Sequence, residues 1–259
     1  MKLVLCQLDS QWEATGLNLK SFSAAVDAYV AAYGTPDIFV FPEFFPTAFT
    51  FNLDYAESEG GPALQAMKAK AAQTGCAMAG SMLVADGSKA VNRFYFVTES
   101  GDVYRYDKRH AFSISGENEA ISCGRERVVL SYRGWNIALS VCYDLRFPVW
   151  MRNDDNCYDL MINVASWPAS RITYAAAMLR SRAIENMCYM AFCNRVGRDP
   201  ECEYNGQSDV LDYGGVSLAR QRYVQGFSFV AAEIHRAPLL EYREDFPIWK
   251  DSDKYTIEL

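Results

Sequence analysis

Three features of this chain predict an α/β fold. Short runs rich in Val, Ile, Phe and Tyr recur between turn residues, and segments with helical spacing of apolar residues fall between several of them. The 259-residue length is also ample for one sizeable core. Strands are predicted at 2–8, 37–41, 76–84, 92–98, 127–132, 136–141, 158–164, 188–194 and 227–233. Leu19, Phe22, Val26, Tyr29 or Val30, and Tyr33 recur at helical spacing, with Gly34 as a stop. Leu64, Met67, Lys68 and Ala71 mark a second helix, introduced by Gly60-Gly61-Pro62, and residues 172–187 a third, rich in Ala, Met and Arg. Strands 76–84 and 92–98 follow one another without a helix, so part of the sheet is antiparallel. No linker, repeat or low-complexity tract interrupts the chain, and a single domain over 1–259 is expected. From Pro238 onward, charge and aromatics (Tyr242, Phe246, Trp249, Tyr255) read equally as a C-terminal arm on a neighbouring subunit and as a frayed tail.

Composition narrows the function classes. The chain is 50% hydrophobic and 22% charged, with net charge −7, and no Lys/Arg cluster marks a nucleic-acid footprint. Its eight cysteines do not form a disulfide framework: the chain is too large to need one, and Cys6, Cys76 and Cys188 sit in apolar runs, where free cysteine packs as a small hydrophobe. A reducing cytoplasm is the expected compartment. The N-terminal segment reads as a first strand without a signal peptide's cleavage region, and no stretch approaches the roughly 18–20 apolar residues of a membrane span.

Three ionisable side chains each stand just past a hydrophobic run. Cys142 follows Asn136-Ile-Ala-Leu-Ser-Val141 and opens Cys142-Tyr-Asp-Leu-Arg-Phe-Pro148. A core thiol is the bland reading, but the turn-forming and charged residues after it favour a nucleophile, which needs a base or a positive field to become a thiolate. Glu43 lies in Phe41-Pro-Glu43-Phe-Phe-Pro46, where a carboxylate is costly to ionise without a partner; these surroundings suit a general base better than a solvated turn. Lys108, in Tyr106-Asp-Lys108-Arg-His110, would alone read as a solvated turn of charges. Beside a thiol its ammonium would stabilise both a thiolate and a developing oxyanion. A Cys–His protease pair would have to use His110 or His235, and nothing around Cys142 fits that logic. A zinc site would need paired ligands, and Cys188, Cys193 and Cys202 have the wrong spacing. No metal site is expected.

In this order and spacing, the three segments resemble the nitrilase superfamily of carbon–nitrogen hydrolases, over essentially the whole chain. Further similarity lies at Asn163-Val-Ala-Ser-Trp-Pro168, Arg182-Ala-Ile-Glu-Asn186 and Asn194-Arg-Val-Gly197. The run Cys142-Tyr-Asp-Leu-Arg-Phe-Pro-Val-Trp150 looks most like the bacterial omega-amidase, Nit2-like branch. The resemblance implies a four-layer α-β-β-α sandwich, a homodimer, no cofactor, and a Glu43, Lys108, Cys142 triad. It also implies an accessory glutamate that orients the lysine: spacing to Gly124 favours Glu117, with Glu119 close by. The substrate implied is a short acid with a terminal amide, such as 2-oxoglutaramate or 2-oxosuccinamate. Arg146 or Arg195 would meet its distal carboxylate, unless Arg146 instead pairs with Asp144. Phe44, Phe45, Tyr143 and Trp167 would wall a small pocket, and the backbone N–H of Tyr143 would assist Lys108 at the oxyanion.

Overall fold

The computed structural model describes residues 1–258, and its first strand already reveals the layering. In β1 (Lys2–Cys6), Val4 and Cys6 join a cluster with Phe22, Val26 and Tyr29 of α1 (Thr15–Tyr33), while Leu3 and Leu5 join another shared with a second sheet. Period-two alternation with both faces apolar marks a strand covered on each side. Helix α1 stops at Gly34, whose φ of 80° lets its N–H return to the Val30 carbonyl.

The chain then runs through β2 (Ile38–Val40), α2 (Pro62–Thr74), β3 (Ala77–Asp86), β4 (Lys89–Val97) and β5 (Val103–Asp107). A short α3 (Glu117–Ala120) leads into β6 (Val129–Tyr132), β7 (Trp135–Val141), β8 (Leu160–Ala165), α4 (Ile172–Glu185) and β9 (Tyr189–Asn194). The hairpin β10 (Val196–Arg198) with β11 (Glu203–Asn205) precedes β12 (Asp209–Leu211), β13 (Arg220–Val224), β14 (Phe227–Glu233) and α5 (Arg236–Asp245).

One sheet has seven strands in the order β13-β14-β1-β2-β3-β4-β5, and the other five in the order β12-β9-β8-β7-β6. Helices α1 and α2 cover the outer face of the first sheet. Its inner face, through Ile38, Val40, Phe94 and Phe96, meets Ile137, Leu139 and Ile162 of the second. Ala175 and Leu179 of α4 and Leu239 of α5 belong to that same cluster, which completes the α-β-β-α sandwich. Each large apolar side chain buried this way contributes roughly 1.5–3 kcal/mol.

Strand direction positions the site. β1, β2 and β3 are parallel, and two antiparallel steps return β5 to the same direction; β7, β8 and β9 are parallel in the second sheet. The residues after β2, β5, β7 and β8 therefore emerge at the carboxyl ends of their strands, where open α/β sheets collect ligands.

The structure adds β5, α3, β10 to β13 and α5 to the elements predicted from sequence. β13 is a polar edge strand (Arg220, Gln221, Arg222) without the apolar run that marks a covered one. The expected C-terminal arm begins as α5 and packs on its own chain. Arg243 is buried there, donating to Asp159 Oδ1 at 3.0 Å and to the carbonyls of Met187 and Tyr158. Among the described residues, no helix is long and apolar enough to cross a membrane.

Candidate active site

The strand ends bring Cys142, Glu43 and Lys108 together, and α3 adds Glu117. Cys142 directly follows β7 and opens a tight 3₁₀ turn; its φ of 43° is left-handed, a strained geometry for a side chain with a Cβ and common at functional sites. Asp144 holds this elbow. Its Oδ2 accepts from Val141 N at 3.0 Å and from the Tyr106 hydroxyl at 2.7 Å, and its Oδ1 accepts from His110 N at 3.0 Å and bonds the His110 ring at 2.8 Å. Tyr106 and His110 flank Lys108 in sequence, so one buried carboxylate ties the nucleophile's turn to the lysine's loop.

Lys108 and Glu43 are each 1% exposed and Glu117 is fully buried, whereas Glu119 is exposed. Lys108 Nζ donates to Glu43 Oε1 at 2.9 Å and to Glu117 Oε1 and Oε2 at 2.9 and 2.8 Å. Glu117, not Glu119, is thus the carboxylate at the lysine, and its Oε2 also accepts from Phe112 N. Glu43 is held on both oxygens: Asn92 Nδ2 donates to Oε1 at 2.8 Å and Ser166 N to Oε2 at 2.9 Å.

Burial sets the protonation states. It pushes the Cys142 thiol well above its usual range; the Glu43 charge, and a hydrogen bond from the thiol to Glu43, push the same way, while Lys108 pulls back without prevailing. The resting nucleophile is therefore a thiol, and the thiolate must be made by proton transfer. Burial alone would lower the Lys108 pKa, but the charges of Glu117 and Glu43 lift it above its usual value, so it stays an ammonium. Burial also raises Glu117, against the pull of Lys108. Taken as two carboxylates, one ammonium and one thiol, the cluster carries −1.

A buried thiol at the mouth of a carboxylate–ammonium pair can perform acyl transfer. The carbon-nitrogen hydrolase family model matches residues 2–232 of this sequence. The chain is a carbon–nitrogen hydrolase. Omega-amidase YafV of Escherichia coli K12 is 39% identical over 99% of this hydrolase and 98% of its own length. The 2-oxoglutaramate amidase of Bacillus subtilis is 32% identical over 84% of this chain and 85% of its own. The crystal structure of XC1258 from Xanthomonas campestris, a CN-hydrolase superfamily protein with an arsenic adduct in its active site, matches with TM-score 0.92. It is 33% identical, covering 100% of this chain and 99% of that one.

In this carbon–nitrogen hydrolase a cavity of about 640 Å³ opens onto Cys142 and Lys108, with Tyr143, Arg146 and Trp167 in its wall. Phe45, expected in that wall, lies elsewhere: fully buried, it packs at ring-centroid distances of 5.3 Å from Phe22 and 5.5 Å from Phe41 in the outer core. Gly80 admits it, since a Cβ there would stand 3.1 Å from the Phe45 ring. Phe44 is likewise buried, against Phe49, and the aromatic wall is supplied by Phe49, Phe51 and Phe112. A left-handed turn of the chain at Phe44 carries both phenylalanines away from the cavity, and composition carries no signal of that.

Arg195 does not reach the cavity wall. It is fully buried, donates to the Ser10 carbonyl, stands 3.5 Å from Asp199 and lies over the Tyr204 ring. Arg146 does line the cavity and does not pair with Asp144, whose oxygens are taken as described. Sequence reasoning missed Asn92, Asp144 as a hub, and Arg171. Asn92 had a signal: a fully buried amide inside the apolar strand β4 must serve a polar partner.

Proposed function

We propose that this carbon–nitrogen hydrolase cleaves the terminal amide of a small omega-amido acid, such as 2-oxoglutaramate or 2-oxosuccinamate, to the dicarboxylic acid and ammonia. Glu43 takes the Cys142 proton as sulfur attacks the amide carbon. Lys108 and the Tyr143 backbone N–H hold the oxyanion. Protonated Glu43 then returns its proton to the departing nitrogen, which leaves as ammonia, and a thioester remains. A water that Glu43 deprotonates attacks the thioester; collapse releases the acid, and the sulfur recovers its proton from Glu43. Glu117 acts as the accessory carboxylate that orients Lys108, and Arg146 receives the distal carboxylate, with Trp167 as wall.

The observation that carries this reading is the sharing of Lys108 between two carboxylates. When Glu43 accepts the thiol proton it becomes neutral and loosens its 2.9 Å contact just as a negative charge appears on the substrate oxygen. The cluster keeps its charge of −1 throughout, and only the location of the anion around the ammonium changes. Preorganised charge of this kind is worth most in a dry cavity. The similarity to an omega-amidase and to a 2-oxoglutaramate amidase supports the substrate class.

Ammonia release from 2-oxoglutaramate, compared with glutamine, asparagine and a simple nitrile, tests the reading. Preference for 2-oxoglutaramate is expected; nitrile or N-carbamoyl turnover exceeding amide turnover would overturn it. Cys142→Ala should abolish turnover with the fold retained. The family resemblance also supports a homodimer and a cytoplasmic location. Sedimentation at the 29.2 kDa of one chain would refute the homodimer.

A further inference from the structure

We infer that Arg171, together with Arg146, forms a two-guanidinium receptor that selects substrates whose unreacting end is an anion without a neighbouring ammonium; this rests on the amidase reading above. Of the cations that line the cavity, Lys108 meets carboxylates, whereas Arg146 and Arg171 meet none among the described residues. In a chain of net charge −7, Arg93, Arg127, Arg133, Arg182, Arg236 and Arg243 all meet carboxylates. Arg146 and Arg171 form no ion pair among the described residues, yet both line the cavity that holds Cys142. Each lies over an aromatic ring instead: Arg146 at 5.1 Å from the Trp167 centroid, Arg171 at 5.6 Å from that of Phe112. Aromatic faces fix a guanidinium without neutralising it.

The cavity's own carboxylates do not answer them. Asp199 is consumed by the Tyr204 hydroxyl at 2.6 Å, by the N–H groups of Glu201 and Cys202, and by Arg195. Glu201 is exposed. The reacting end sets two carboxyl groups, Glu43 and Glu117, around one ammonium, so the unpaired arginines are where a substrate carboxylate is drawn.

The loop after β8 makes the receptor rigid. Ser166 N holds Glu43, Trp167 N and O are clamped by the Asn194 amide at 2.7 and 3.0 Å, and Trp167 Nε1 donates to the Arg171 carbonyl at 2.9 Å. One short segment therefore positions both the base and the second cation. Two guanidinium groups attract a 2-oxo acid and repel an α-ammonium, so 2-oxoglutaramate should be accepted and glutamine, of the same length, refused.

The test is kcat/KM for 2-oxoglutaramate, glutamine and butyramide in the wild type, Arg171→Gln, Arg171→Lys and Arg146→Gln, with thermal melting of each. Loss of one charge-assisted contact should lower the 2-oxoglutaramate to butyramide ratio about ten- to a hundredfold in Arg171→Gln, chiefly through KM. Arg171→Lys should recover part of it, and discrimination against glutamine should narrow. A ratio unchanged in Arg171→Gln, or both substrates falling together, would overturn the assignment while leaving the amidase reading intact. A wild type that prefers glutamine would overturn the receptor alone. A wild type without preference for 2-oxoglutaramate over butyramide would overturn both.

Discussion

Replacing Glu43 by Gln removes the base while preserving size. In the native site Oε1 accepts from Lys108 Nζ and Asn92 Nδ2, and Oε2 from Ser166 N. A glutamine has one oxygen. Turned toward Lys108 and Asn92, it sets its NH₂ group against the Ser166 N–H; turned the other way, it sets that group against two donors. The first arrangement wins and leaves one buried donor unmet, a cost of about 1–3 kcal/mol. Removing one of two carboxylates around a single ammonium relieves part of that cost, so the melting temperature should fall by only a few degrees. Catalysis has no such relief. The thiol is held above its usual pKa by burial and loses its proton acceptor, so kcat should fall about 10²–10⁴-fold. The assay is single-turnover trapping of the thioester by intact-protein mass, beside steady-state ammonia release. A folded Glu43→Gln enzyme that acylates at nearly the wild-type rate would refute the proton-transfer scheme.

Four other outcomes are expected. Asp144→Asn must turn an NH₂ group toward either Val141 N and Tyr106 or His110; facing His110, whose ring nitrogen can accept from it, it leaves the His110 N–H unmet, so it should cost about 1–3 kcal/mol in urea unfolding; an unchanged midpoint would show that Asp144 does not hold the elbow. Phe45→Ala should destabilise by about 3–5 kcal/mol as a core truncation with KM unmoved, and a KM rise in folded protein would return Phe45 to the cavity wall. Iodoacetamide should label Cys142 faster as pH rises above neutrality, because its thiol is raised; a flat rate from mildly acid pH upward would mean a preformed thiolate. Arg133 binds Asp37 and Glu99; despite their partial burial, the Lys2 N–H and then Arg133 hold the Asp37 carboxyl below its usual range, and Arg133 holds Glu99 below its own. Depressed folded-state values stabilise above the unfolded pKa and are lost as pH falls through the folded one, so Arg133→Ala should lower the melting temperature at neutral pH and little below about pH 3; an equal loss at both would exclude the ion pairs.

The local chemistry of this protein is written in its order of residues. Period-two and helical patterns reveal β1, β3, β7, β9, α1 and α4, because both faces of each strand or one stripe of each helix must be apolar to be covered. Cys142 and Glu43 stand out because a polar group just past a buried strand needs a purpose, and Lys108 gains one only beside them. Sequence left open what depends on distance in space. Glu117 and Glu119 differ by two positions, and only the packing of a short helix turns one onto Lys108 and the other to solvent. Phe44 and Phe45 are chemically identical, and a left-handed residue at position 44, with Gly80 beneath, sends both into the core. Arg171 lies 29 residues beyond Cys142 and reaches the same cavity because β7 and β8 are parallel neighbours. Hydrophobic periodicity reports burial along one element; it holds no record of which elements converge, since convergence is decided by sheet order and by side chains that meet across it.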